Sequence, residues 1–530
     1  MNILALTVVI AIFLLVITTL MWLGYRKTKT DSDYLVAGRS VHPWVMALSY
    51  GAAFISTSAI VGFGGVAGLY GFSLLWLTVL NIVVGVFIAF AFLGVRIRRM
   101  SSNLGSETFP SLLGSRYQSP ALTAYLGLLI FLLMPAYTSA ILIAGARFLQ
   151  EALALPFNLS LLLLAALVGI YVMSGGLRGV MYTDAFFAIV MFLGMGMLLV
   201  NTYLTAGGVV FAHSELTALS RLVPANLVEQ GHRGWTAMPA TGSKLWWTIV
   251  STMVMGVGIG VLAQPQLAMR FMTVRQPRAI YQSILIGGIF IFFMTGTAFI
   301  VGPLSNLYFY QTQGQIALQA AGGNLDRIIP VFVSQTMPPW FLYFFMLTLL
   351  SAGLSTLSSL LHVQGVAFAR DLVQTLGGDR LLPGASTRFW AKMGTALSLL
   401  AAIVLAYTLP ANIVARATAF WFGVCAASFL PTLLAALYWP AATKAGALAS
   451  TVTGSVVSVL GYLFLHEAQA VALGLSARLF GRATLLPFPW THVDPLFYAL
   501  PASAAVFVIV SLLTAKPSPM HLEKAFRKIA

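Results

Sequence analysis

The stretch Gly51-Ala-Ala-Phe-Ile-Ser-Thr-Ser-Ala-Ile-Val-Gly-Phe-Gly-Gly65 sits in an apolar run long enough to cross a bilayer. It is nevertheless a poor plain membrane helix. Gly51, Gly62, Gly64 and Gly65 weaken helical structure, and Ser56, Thr57 and Ser58 put three hydroxyls at mid-membrane depth. Where a helix loosens in lipid, the freed carbonyls need another partner, and a cation is a suitable one. Interrupted membrane helices serve as ion and solute sites. The same small residues also suit a close packing face between helices.

The surroundings make the membrane certain. The chain has 530 residues, is 59% hydrophobic and 8% charged, and has a mean hydropathy of +0.92. A soluble protein of that size could not hide so much apolar surface. Windows of roughly 20 apolar residues mark 13 spans, at 3–25, 42–70, 72–95, 120–150, 157–174, 181–205, 245–269, 279–302, 339–368, 389–408, 412–438, 443–465 and 494–514. The first lacks an Ala-x-Ala cleavage pattern and is read as a retained helix. The lone Cys425 lies in an apolar run, which excludes a disulfide framework and a thiolate metal site.

With 13 spans the two ends face opposite sides. Of 29 basic residues, eight (Arg147, Arg221, Arg233, Lys244, Arg327, Arg416, Arg478, Arg482) fall on one side and the other 21 on the opposite one. Basic loops stay in the cytoplasm, so the N-terminus is expected outside and the C-terminus inside, in the plasma (cytoplasmic) membrane. The net charge of +16 is therefore a topology signal and not a nucleic-acid one. The longer loops (206–244, 303–338, 466–493) are too short for a catalytic domain, and no enzyme is expected.

Sorted the same way, the carboxylates leave Asp184 alone inside a span, which makes it a functional candidate. Its alternative role is as partner of nearby Arg178. Arg270 is counted with the cytoplasmic loops, so no arginine or lysine is expected mid-span. Further on, Ala352, Ser355 and Thr356 recur at i, i+3, i+4 and share a helix face. A carbonyl and two hydroxyls there suit a hard cation such as sodium, although Ser and Thr also bond back to their own helix. Thr252-Met-Val-Met-Gly-Val-Gly-Ile-Gly260 reads as a second interrupted span, five spans after the first. Paired interruptions point to a transporter built from inverted repeats.

These pieces, with several motifs, resemble the sodium:solute symporter family, which includes proline, pantothenate, monocarboxylate and sugar carriers. The resemblance rests on Asp33-Tyr-Leu-Val-Ala-Gly-Arg39, Arg98-Arg-Met100 with Thr108-Phe-Pro-Ser-Leu-Leu113 and Arg116-Tyr117, and Gly175-Gly-Leu-Arg-Gly-Val-Met-Tyr-Thr-Asp184. Gln264-Pro-Gln266 with Arg270-Phe271, Ala352-Gly-Leu-Ser-Thr-Leu-Ser-Ser359 and Ser428-Phe-Leu-Pro431 extend it over about 31–450. It implies an all-α membrane protein of LeuT type, an inverted repeat of five plus five helices. The extra N-terminal helix would be 3–25, the repeats 42–205 and 245–438, and two C-terminal helices would occupy 443–514.

By motif position, the resemblance implies a sodium site made of the Ala52, Ile55 and Ala352 carbonyls and the Ser355 and Thr356 hydroxyls. Asp184 would lie on the ion pathway. Phe187 departs from the family, where Gln is common, and the apolar Ala59-Ile-Val61 argues against a sugar. Candidate substrate residues are Ser56, Thr57, Ser58, Met253, Gly256 and Trp421. His362 is read as a structural histidine more readily than as a proton relay.

The function expected is sodium-coupled import of a small organic solute, best a monocarboxylate, by alternating access. A carboxylate would be held by hydroxyls and by the free N–H groups of a broken helix. Alternatives are proton coupling on the same fold, pantothenate or a proline-like amino acid as solute, and a transport-like sensor. Sodium, the solute and lipid are the expected partners, with the chain a monomer or loose oligomer.

Overall fold

The computed structural model describes residues 3–377 and 386–529, and the side chains of 174 and 175 are left aside. Asp379 and Arg380, both read from the sequence as cytoplasmic loop charges, lie outside the described residues. Among the described residues the chain is helical throughout, with a single isolated bridge between Val41 and Val274.

After α1 (Ile3–Arg26), the quoted stretch forms two short helices, α2 (Pro43–Phe54) and α3 (Phe63–Tyr70), the latter entered through a π-helical turn at Ser58–Gly62. A helix α4 at 75–104, with a π-helical middle (Asn81–Gly94), leads to α5 (Phe109–Tyr117), α6 (Pro120–Leu153), α7 (Phe157–Met173) and α8 (Gly176–Thr205). The second half repeats the pattern with α9 at 244–263, a break, and α10 (Pro265–Thr273). Then come α11 (Ser283–Gln313), α12 (Pro339–Gln374), α13 (Thr387–Thr408) and α14 (Val414–Tyr438). The chain closes with α15 (Lys444–Phe464), α16 (Leu496–Leu513) and a short tail helix α17 (Pro519–Phe526).

Eleven helices among the described residues are long and apolar enough to cross a membrane. The reading of 13 spans adds two: the 17-residue α7, which misses that length, and a separate 42–70, of which α2 is too short and α3 runs on with α4 as one apolar stretch, Ser58–Leu104. Burial separates scaffold from centre. Only 17% of the apolar window of α1 is covered by protein, against 83% for α12. The outer face of α1 (Leu4, Ile12, Leu15) is left for lipid, while α12 packs on α2, α6 and α8.

The glycines of the opening stretch prove to be packing points. A Cβ on Gly65 would lie 2.0 Å from the Leu325 carbonyl oxygen, on Gly62 2.4 Å from Val414, and on Gly51 2.5 Å from the Phe290 ring. They let the broken helix approach its neighbours closely, the mode common between membrane helices. The end of α3 is tied down from outside the repeat: the Gly68 carbonyl accepts from Trp235 Nε1 (2.9 Å) and Asn306 Nδ2 (2.7 Å).

Candidate functional site

The first break falls at Ile55-Ser56-Thr57, where no glycine stands. Ile55 leaves the helix at ψ 100°, and the Ser56 hydroxyl accepts from the Ala59 N–H (3.3 Å), starting the next helix. Ser56 thus acts as a capping residue. The interruption strips the end of α2 of helical partners, and the Ala52 carbonyl finds two on α12. Ser355 Oγ donates to it at 2.8 Å and Thr356 Oγ1 at 3.3 Å, while Ser355 Oγ lies 3.2 Å from the Ala352 carbonyl. Ala52, Ala352, Ser355 and Thr356 therefore meet in one dry spot, each 0% exposed, with Ile55 at 1% beside them on the break.

The second break is displaced from the stretch that suggested it. Residues 252–260 remain helical, passing from π to α geometry, and the chain opens at Gln264 (ψ 118°). Pro265 is the cause: its ring forces the preceding residue out of the α region and opens α10 at a position that needs no N–H. Gln264 then serves as a joint, its Oε1 accepting from Trp421 Nε1 (2.8 Å) and Gln266 Nε2 (3.0 Å). The Gln-Pro dipeptide was the signal that glycine counting overlooked.

Asp184 does have a basic partner, and it is not Arg178. Arg270 on α10 reaches Asp184 Oδ2 at 3.0 Å, both side chains 0% exposed, so an arginine does lie inside the bundle. Ser49 on α2 donates to the same oxygen (2.7 Å), and Arg270 also donates to Ser49 (3.2 Å), to the Gln266 carbonyl (2.8 Å) and to Ser359 on α12. Asp184 Oδ1 is left without a hydrogen-bond partner among the described residues. Arg178 instead pairs with Asp33 (3.2 Å) and caps the Ala37 carbonyl (2.7 Å) at the surface. The sequence hid this because Arg270 follows a predicted span end and reads as a loop residue. Nor is Asp184 the only buried carboxylate: Asp326, Asp371 and Asp494 are at most 3% exposed.

A small cavity of about 30 Å³ lies against the first break. Ser56 and Ser58 line it, hydrogen-bonded to each other (2.8 Å), with Ser58 also 3.0 Å from Thr418 on α14. Asn81, Tyr137 and Thr295 add polar groups, and Phe54, Phe63, Phe299 and Phe422 add rings; no charged residue lines it. Other substrate candidates lie elsewhere. Thr57 donates to the Ile141 carbonyl (3.1 Å), and Trp421 is engaged by Gln264. The second broken helix presents Val257 to the cavity, while Gly256 faces Asp494 and Met253 is buried away from the lining. Asn81, whose Oδ1 is unpartnered among the described residues, was missed because a lone amide in an apolar run carries no spacing signal. His362 packs its ring on Tyr34 (5.3 Å between centroids), and Phe187 packs on Phe13 (5.8 Å).

Known proteins share this architecture. A Na+-coupled sialic acid symporter, solved in a substrate-bound outward-open state, superposes with a TM-score of 0.71 at 17% identity, covering 97% of this chain and 98% of that one. MhsT in complex with L-phenylalanine gives 0.50 at 12%, covering 89% and 98%. The fold is the LeuT type. By sequence the chain is 27% identical to a sodium/pantothenate symporter of Haemophilus influenzae, over 86% of this chain and 91% of that protein. It is 24% identical to a sodium/proline symporter of Staphylococcus aureus, over 96% and 93%. The profile of the sodium:solute symporter family matches residues 34–454, and the chain belongs to that family.

Proposed function

We propose that this transporter imports a small monocarboxylate with sodium, its coupling ion, by alternating access about the two helix breaks. The observation that carries the reading is the Ala52 carbonyl, freed by the break and facing Ser355 and Thr356 on α12. The two hydroxyls donate to this carbonyl, so their oxygens stand beside it. When sodium enters, the hydroxyl protons turn outward, and the carbonyls of Ala52, Ile55 and Ala352 join both hydroxyl oxygens as ligands. Sodium then clamps α2 to α12 and holds the outer face open until solute binds.

Asp184 belongs to the ion's route in this reading. Ser359, bonded to the Ser355 carbonyl at 2.7 Å, connects the sodium ligands to Arg270 and so to Asp184 within one helical turn. Arg270 and Ser49 both donate to this carboxylate, which engages it as the partner of a fixed cation and argues for a sodium path over proton carriage by this residue. The solute site is the cavity at Ser56, Ser58, Asn81, Tyr137 and Thr418. Its hydroxyls and rings, without a fixed charge, suit a compact and largely apolar solute bearing one acidic group. Pantothenate and proline, named for two relatives, each carry one carboxylate, which supports that class. The repeats are taken as 42–205 and 245–438, the N-terminus as outside and the C-terminus as cytoplasmic.

The test is uptake into proteoliposomes of labelled monocarboxylates, pantothenate and proline, with sodium present or replaced. Ser355→Ala with Thr356→Ala should raise the sodium concentration for half-maximal uptake at least about tenfold, the loss of roughly 1.4 kcal/mol or more of ion binding. Insertion and yield should hold, because Ala is a good helix former. An unchanged sodium dependence would overturn the assignment.

A further inference from the structure

Well away from the helix breaks, a cavity of about 660 Å³ opens between α5, the start of α6, the end of α12 and the tail helix α17. It lies on the side that holds the basic excess, taken here as cytoplasmic. Its lining is mixed in charge. Asp371 sits at its base, 0% exposed, with Oδ1 accepting from Thr108 Oγ1 (2.7 Å) and Oδ2 without a partner among the described residues. A carboxylate oxygen left dry and unpaired is costly, and the group that satisfies it must donate hydrogen bonds or carry positive charge. The rim has the opposite character. Lys524 on α17 is exposed and has no hydrogen-bond or ion partner among the described residues, and Arg370 stands beside it, held loosely by Glu107 at 3.6 Å.

A simple anion would meet the Asp371 carboxylate, and a simple cation would meet Lys524 and Arg370. A ligand with a primary ammonium at one end and a phosphate at the other meets both. Ser115 and Thr375, also in the wall, supply hydroxyls for phosphate oxygens. The cavity lies at the ends of two membrane-spanning helices, where headgroups are found. We propose that it binds a phosphoethanolamine group, ammonium on Asp371 and phosphate on Lys524 and Arg370, presented by an aminophospholipid or as the free compound. So bound, the group would bridge the tail helix to α12, the helix that also carries Ser355 and Thr356.

The full-length protein, purified and offered defined lipids in nanodiscs, should retain phosphatidylethanolamine by native mass spectrometry at least about tenfold over phosphatidylcholine, whose trimethylated nitrogen has no N–H to give, and over phosphatidylglycerol, which has no amine. Tenfold corresponds to about 1.4 kcal/mol, the low end for a hydrogen bond to a charged group. Asp371→Asn should erase most of that preference, and Lys524→Gln should lower retention of phosphatidylethanolamine several-fold by loosening its phosphate. If Asp371→Asn fails to fold, Lys524→Gln, a surface change, decides alone. Free phosphoethanolamine that binds saturably and displaces the lipid would assign the site to the soluble compound. Equal retention of the three lipids together with no binding of free phosphoethanolamine, displacement by glycine as effective as by phosphoethanolamine, or an unaltered Lys524→Gln variant would overturn the proposal.

Discussion

Ser49, Asp184, Arg270 and Ser359 tie α2, α8, α10 and α12 together at a single charged contact. Burying two charges costs several kcal/mol each, repaid only while both are present, and removing one partner of such a pair costs roughly 3–5 kcal/mol. Arg270→Gln and Asp184→Asn should therefore each lower thermal stability sharply. The double variant should recover much of that stability yet remain slow in sodium-driven uptake, because the fold is repaired and the ion's route is not. Arg178→Ala should leave sodium affinity unchanged, since its partners are Asp33 and backbone at the surface. Melting curves and sodium titrations of the four proteins check both statements; normal uptake by the double variant would remove Asp184 from the ion's path.

At the scale of elements, the two breaks have different causes. One is made by a serine cap and a neighbouring helix that offers hydroxyls, the other by a proline. The glycines around the first break serve contact. Gly65 is the sharpest case, since an added methyl would meet the Leu325 backbone oxygen, which cannot swing aside as a side chain could. Gly65→Ala should cost about 1–3 kcal/mol, the usual range for overpacking, and should also part α3 from the 325–327 turn. Gly105→Ala, at φ +68° with open space around it, should cost less, through backbone strain alone. Comparing the melting temperatures of the two variants tests whether contact or conformation makes Gly65 necessary.

For the whole molecule, orientation and acidity give two further outcomes. Cysteines placed at Ser102 and Ala225, both exposed, with buried Cys425 replaced, should differ in intact cells toward a membrane-impermeant thiol reagent. Only the second should react; the reverse pattern would invert the topology. Asp494, in the loop before α16, accepts from Tyr462 Oη (2.9 Å) and the Leu496 N–H (2.9 Å), and burial pushes its carboxyl up to about 6. The folded state thus holds this proton more tightly than the unfolded chain does. Stability should fall as pH rises from about 4 to 6 and stay low above. Lowering pH from 7.5 to 5 should raise the melting temperature, this group adding about 1.4 kcal/mol of stability, one pKa unit's worth. Asp494→Asn should reduce that response, leaving the comparable contribution of Asp326, which burial also raises to about 6.

Membrane class, the helical fold and the face shared by Ala352, Ser355 and Thr356 follow from local properties. Hydropathy over a window and a period of 3.6 residues are carried by neighbours along the chain. The pairing of Ala52 with Ser355 depends on helices 303 residues apart and was within reach only through motif resemblance. Arg270 shows the limit most clearly. By hydropathy it ends a span, and only the fold of α10 back into the bundle makes it the partner of Asp184. Asp371 reads as a loop carboxylate and Asp494 as one at a helix end for the same reason, since burial is a property of what packs against a residue. Gly51, Gly62 and Gly65 read as helix breakers because propensity is local, whereas their use is set by Phe290, Val414 and Leu325, which only tertiary structure brings near.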